Sequence, residues 1–159
     1  MNPKKALKKL IDDLEDETAL EILQDWDDII DSYEKSAVIF FDGSAHPNPG
    51  EMGIGATVEC CGKVMEISKK VGYGTNNIAE YLALIEALKL ARKMGAKSVN
   101  IYGDSSIVIE QINGRWKVRN EKLKDLKKEV MELLGKFKRW RAEWIPESKN
   151  ERAHKLANS

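Results

Sequence analysis

Asp42, Glu80 and Asp104 are the residues whose type and position best suit them to chemistry. Asp42 closes the apolar run Val38 to Phe41, Asp104 follows the segment Ser98 to Gly103, and Glu80 falls in the first turn of the clearest helical pattern in the chain. A carboxylate at the mouth of an apolar strand is costly unless something pairs with it, and a cation is the usual partner. Open α/β sheets place ligands at the carboxyl ends of their strands. If the two strands are central and adjacent, Asp42 and Asp104 emerge side by side with Glu80 within reach. Three carboxylates that close raise one another's pKa unless divalent cations sit among them. Oxygen-only ligands favour a hard ion such as Mg²⁺ or Mn²⁺. Each acid taken singly reads as a solvated turn or cap residue; as a trio beside Gly- and Asn-rich turns they favour a metal site.

The elements that must carry these acids follow from periodicity and turn formers. Val38 to Phe41 reads as a strand covered on both faces, stopping at Asp42 and a cluster of turn formers, Gly43 to Gly50. Gly53–Cys61 and Lys63–Val71 read as two strands around Gly62, making an antiparallel meander that Gly72 and Gly74 break. Asn76–Met94 is a helix with Ile78, Leu82, Ile85 and Leu88 on one face, ended by Gly95. A strand at Ser98–Tyr102, a short helix at Ser105–Ile112 and a long helix at Glu121–Phe137 follow, the last lined by Leu123, Leu126, Val130, Leu133 and Phe137. Arg141–Ile145 is a last strand and Glu151–Asn158 a last short helix; Trp140 and Trp144 read as core. The order predicts an α/β domain, a mixed five-stranded sheet of antiparallel meander plus parallel strands, flanked by helices.

Ahead of this body, residues 1–35 form an acidic arm. They hold 5 basic and 11 acidic side chains, whereas the rest of the chain holds 21 and 15, so a neutral total conceals a basic body that suits an anionic partner. Leu7, Leu10, Ile11 and Leu14 predict one amphipathic helix. Thr18, with Glu21 as a capping box, opens a second that carries Leu20, Leu23, Trp26, Ile30 and Tyr33. These stripes must be buried on each other, on the body, or on another copy or protein; a third use of the arm is as an acidic mimic of nucleic acid on the basic face. Cys60 and Cys61 are adjacent and without partners elsewhere, so no disulfide framework or cysteine zinc site follows, and a reducing, cytoplasmic setting is expected. No secretory leader and no membrane-length apolar run are read.

Taken together, Asp42-Gly43-Ser44 with Asn48-Pro49-Gly50, Thr75-Asn76-Asn77 leading to Glu80, Gly103-Asp104-Ser105, and Asn150-Glu151-Arg152 with Leu156-Ala157 resemble type 1 ribonuclease H. The resemblance covers residues 36–159 as a catalytic domain and leaves the arm outside it. It implies hydrolysis of the RNA strand of RNA–DNA hybrids by two Mg²⁺ or Mn²⁺ ions, giving 5′-phosphate and 3′-hydroxyl ends. Under it Asp42 bridges both ions and Glu80 and Asp104 complete one. Asn48, Asn76 and Asn77 lie in the minor groove, Thr75 holds a DNA phosphate, and Gly43, Ser44, Ser105 and Asn150 belong to the substrate-binding motifs. Neutral amides suit that task because they read base edges and the 2′-hydroxyl that distinguishes RNA from DNA.

Two departures from the family pattern stand out. Where the family usually carries a fourth Asp, four residues after the last-motif Asn, this chain has His154. Imidazole ligates Mn²⁺ or Zn²⁺ but suits Mg²⁺ poorly and brings no negative charge. His154 is thus a working catalytic and metal ligand, the mark of a weakened or metal-selective enzyme, or the reason for a protein that binds hybrids or partners without turnover. The link Pro146–Lys149 also lacks the mobile-loop His of many members, leaving Glu147 as a stand-in. Arg115, Trp116, Lys117 and Arg119, with Lys122 and Lys124, offer a simple substrate handle of phosphate contacts, Trp116 among them as a substrate-binding residue.

Overall fold

The computed structural model describes residues 5, 6, 9 and 17–159; the helix expected on Leu7, Leu10, Ile11 and Leu14 lies outside them. Helix α1 (Glu17–Glu34) runs into β1 (Ser36–His46), followed by β2 (Gly50–Cys60) and β3 (Lys63–Gly74). Then come α2 (Asn76–Lys93), β4 (Ser98–Gly103), α3 (Ser106–Ile112), α4 (Glu121–Leu134), β5 (Arg139–Trp144), a single 3₁₀ turn at Glu147–Lys149, and α5 (Glu151–Ala157). The sheet order is β3-β2-β1-β4-β5, antiparallel from β1 to β3 and parallel across β1, β4 and β5. This is the predicted mixed five-stranded sheet, with β1 at its centre.

Several boundaries differ from the expectation. β1 does not stop at Asp42: it pairs with β2 through His46↔Glu51, because β2 supplies a continuous partner edge up to the turn. Pairing likewise carries β3 through Gly72 to Gly74, opposite Gly50. Thr18 lies inside α1, whose described span already includes Glu17. α4 ends at Leu134 with Gly135 as its cap, and Phe137 still packs in the core.

Alternation along β1 sends Ala37, Ile39 and Phe41 into the main core and leaves Val38 and Phe40 half-buried on the other face, where Phe40 stacks on Tyr102 at 5.2 Å. Only one face of the strand is fully covered. α2 lies between the sheet and α4 and is buried on two sides. Its deepest residues are Tyr81, Leu84 and Leu88 with Ala79, Ala83, Ala87 and Ala91, while Ile78 and Leu82 sit at the margin. The alanines allow the close approach that a single apolar stripe does not reveal. Trp140 packs against the core as expected. Trp144 does not: at the end of the edge strand β5 it is 52% exposed.

α1 meets the body at its C-terminal turn. Ser98 Oγ donates to the Ser32 carbonyl at 2.7 Å, Lys97 N–H to the Lys35 carbonyl at 2.7 Å, and the Arg139 guanidinium lies 3.7 Å from the Tyr33 ring centre. Farther up, Trp26 is exposed, and Leu23 and Ile30 are half-buried. Cys60 and Cys61 lie side by side where β2 turns into β3 and link no separate elements. Among the described residues no helix is long and apolar enough to cross a membrane.

α5 is held on the sheet by glycines of β2. A Cβ at Gly55 would stand 2.3 Å from Ala157 N and 2.4 Å from the Ala153 carbonyl oxygen, both backbone. Gly55→Ala should therefore displace α5, costing about 1–3 kcal/mol as an overpacking change. Thermal unfolding checks the stability loss, and a site whose last acid-facing residue sits on α5 should lose activity with it.

Candidate metal-binding active site

Parallel pairing sets the first two acids beside each other. Phe41 pairs with Gly103 across β1 and β4, so Asp42 and Asp104 are the next residues along two adjacent strands. Glu80 reaches them from α2, whose backbone is pressed against β1 at Gly43. A Cβ there would stand 2.2 Å from Ala79 C and 2.4 Å from Glu80 N, so only glycine allows the approach. Carboxylate oxygens of Asp42, Glu80 and Asp104 lie within 4.8 Å of one another. Among the described residues this is the one cluster of three or more such ligands.

The cluster is poorly solvated: Asp42 is 4% and Glu80 8% exposed. Burial pushes the Glu80 carboxyl well above the usual range, and the charge of Asp42, a hydrogen bond with it and the charge of Asp104 add to this; the Gly43 N–H opposes it. Asp42 is raised too, first by burial and also by Asp104, while hydrogen bonds from Glu80 and His154 hold it down. Glu80 Oε2 is buried with no hydrogen-bond partner. A buried, unpartnered carboxylate oxygen facing two further acids is the donor set a hard divalent cation fits.

A pH dependence follows. Both carboxyls titrate above their unfolded values of 3.8 and 4.5, so between those values and their raised ones the folded chain binds more protons than the unfolded. Their contribution to stability is present at low pH and lost as pH rises through the raised values. The metal-free protein should gain stability from this pair as pH falls from 7 towards 5, and Glu80→Gln should flatten that response. Thermal unfolding in chelator across this range measures it.

His154 completes the pocket from α5. Its Nδ1 lies 3.0 Å from Asp42 Oδ2 and its Nε2 3.8 Å from Glu147 Oε1. The structure thus brings His154 to Asp42 and places Glu147 beside it.

The remaining expected residues divide. Asn76 Oδ1 accepts from Ala45 N–H at 2.7 Å, and Asn48 Oδ1 from Asn76 N–H at 3.1 Å, which turns the two exposed amides towards one rim. Asn77, half-buried, follows at the start of α2. Thr75 caps α2 by accepting from Ile78 N–H at 3.3 Å, and Ser105 caps α3 by accepting from Val108 N–H at 3.3 Å. Ser44 donates to Asn158 Oδ1 at 3.0 Å. Trp116 is exposed after α3, beside Arg115, whose guanidinium pairs with Glu110 at 3.0 Å.

Asn150 lies beneath the acids. It is buried, and its Nδ2 donates to the Phe41 carbonyl at 2.9 Å and to Asp104 Oδ1 at 2.8 Å. With both amide protons committed inside the protein, it positions Asp104.

Three residues escaped the sequence reading. Trp144 Nε1–H donates to the Asp104 carbonyl at 3.1 Å, while His46 and Asn158 meet at 2.7 Å beside His154. His46 is two residues past Ser44 and four past Asp42, hence on the same strand face, and Asn158 is one helical turn past His154; these spacings were the available signal.

The geometry accords with known proteins. The family model described as reverse transcriptase-like matches residues 40–159. Ribonuclease HI of Halobacterium salinarum is 37% identical over 121 residues, covering 75% of this chain and 61% of that protein. The N-terminal RNase H domain of Rv2228c from Mycobacterium tuberculosis superposes with a TM-score of 0.74 at 40% identity, covering 77% of this chain and 96% of that one. The structure of LC11-RNase H1 in complex with an RNA/DNA hybrid superposes with a TM-score of 0.69 at 30% identity, covering 77% and 94%. The chain spans about a third of the length of the mycobacterial curated relatives, 34% for the bifunctional protein Rv2228c.

Proposed function

Because the chain belongs to the reverse transcriptase-like, ribonuclease H-like family, we propose that it hydrolyses the RNA strand of RNA–DNA hybrids with two divalent metal ions, leaving 5′-phosphate and 3′-hydroxyl ends. The observation that carries this reading is the convergence of buried Asp42 and Glu80 with half-buried Asp104, and an unpartnered oxygen on Glu80. Asp42 would serve both ions, Glu80 and Asp104 the first, and His154 the second. Ions held there supply activation of the attacking water and stabilisation of the departing oxygen.

The chain's own residues do the rest. Asn150 and Trp144 fix Asp104 by its carboxylate and its carbonyl. The packing of Gly43 against Ala79 fixes Glu80 relative to Asp42. The asparagine amides at positions 48 and 76 present donors at the rim, suited to a 2′-hydroxyl or base edge. Thr75, Asn77, Trp116 and the neighbouring basic residues provide further backbone contacts.

The hybrid as substrate is supported by the complex of the LC11 relative. Mn²⁺ is favoured over Mg²⁺ by the imidazole of His154. A second reading rests on the same side chain: His154 contacts Asp42 and brings no negative charge, which suits a hybrid-binding protein of weakened turnover. Mapping the ends of cleaved, end-labelled RNA tests the mechanism. Ends carrying 5′-phosphate support it, and 2′,3′-cyclic phosphate ends overturn it, because they require attack by the RNA's own 2′-oxygen.

A further inference from the structure

His154 is 48% exposed, so packing alone does not hold its ring against Asp42. It sits on α5, a helix of seven residues, too short to be stable by itself. The helix packs on Gly53 and Gly55, Ser68 Oγ donates to the Leu156 carbonyl at 2.7 Å, and Asn158 holds its last turn at the site. Its Nδ2 donates to the His154 carbonyl at 2.8 Å and lies 3.5 Å from His154 Nδ1. Its Oδ1 accepts from Ser44 Oγ at 3.0 Å and lies 2.7 Å from His46 Nε2. Donation to the His154 carbonyl sets the amide's orientation, since a carbonyl can only accept, and this turns Oδ1 towards Ser44 and His46. One side chain therefore ties the last turn of α5 to the site-facing edge of β1, on both sides of the Asp42–His154 contact.

We propose that Asn158 is the positioning residue for His154: it holds the imidazole at Asp42 so that the two side chains bind one divalent ion together. The proposal rests on the reading of His154 as a ligand of the second ion. His154 Nδ1 and Asp42 Oδ2 lie 3.0 Å apart, close enough for the two side chains to hold one divalent ion between them. Without Asn158 the carbonyl of residue 154 loses a donor and Ser44 and His46 lose their acceptor, so α5 and the ring gain freedom. Outer partners of this kind typically contribute about 10–100-fold in metal affinity.

The test is calorimetric titration of Mn²⁺ into the full chain without substrate, using the parent, Asn158→Ala, His154→Ala, the double variant and His46→Ala, with thermal unfolding of each. Asn158→Ala should weaken the second Mn²⁺ about 10–100-fold and leave the first unchanged. In the His154→Ala background it should add nothing, because residues acting through one another are non-additive. His46→Ala, at an exposed side chain, should weaken the same ion to a smaller degree. Unchanged second-ion affinity in Asn158→Ala overturns the proposal. So does a loss that persists undiminished in the double variant, which would mark general destabilisation of α5. If His154→Ala itself keeps the second ion, the underlying assignment of His154 fails, a result distinct from either.

Discussion

Asp42→Asn should lower cleavage of an RNA–DNA hybrid by about a thousandfold or more. Asp42 is the acid that faces both Glu80 and His154, so its charge is shared by both proposed ion positions. Charge stabilisation by bound ions is worth several kcal/mol in the transition state, and each 1.36 kcal/mol is a factor of ten. The same substitution should make the metal-free protein more stable. It removes one of three carboxylates converging within 4.8 Å, in a place where burial already penalises the charge. For a domain of this size about 1 kcal/mol raises Tm by roughly 2–4 °C. Lost activity with gained stability in chelator is the signature of a site built for a cation. Single-turnover cleavage and thermal unfolding measure the two halves, and a variant that still cleaves at the parent rate contradicts the assignment.

The second large effect belongs to His154. The parent should cleave at least about tenfold faster in Mn²⁺ than in Mg²⁺, since imidazole suits the former and oxygen ligands the latter. His154→Asp should restore Mg²⁺-supported cleavage and narrow the difference. An Asp places a carboxylate where the ring now meets Asp42 at 3.0 Å, adding the charge the second position lacks. Initial rates in each metal decide it. Equal rates in both metals for the parent, unchanged by the substitution, would show that residue 154 holds no ion.

Much of this site was legible because its parts are local. An apolar run ending at Asp42-Gly43, a second ending at Gly103-Asp104 and a helix opening near Glu80 each carry their own signal. β1 and β4 are adjacent and parallel, which brings the three together. The extension of β1 to His46 was not legible: the turn formers from Gly43 to Gly50 read as a loop, and only the partner edge of β2 makes them a strand. The burial of Asn150 was not legible either, because motif position does not reveal it. Its bonds reach Phe41 and Asp104, 109 and 46 residues away. Trp144 read as core on residue type, whereas its place at the end of an edge strand exposes it. The link from Asn158 to Ser44 spans 114 residues and has no local pattern at all. Long-range polar contacts of this kind are the portion of a site that periodicity and turn chemistry do not encode.

The central claim is that these three acids and His154 form a working site for the RNA strand of a hybrid. Its most direct test is cleavage of a labelled RNA–DNA hybrid by the intact chain in Mn²⁺, with duplex DNA and duplex RNA alongside. Cleavage confined to the RNA of the hybrid, and abolished by chelator, is the predicted result. Tight hybrid binding with no cleavage in either metal would contradict it and leave binding as the activity of this fold.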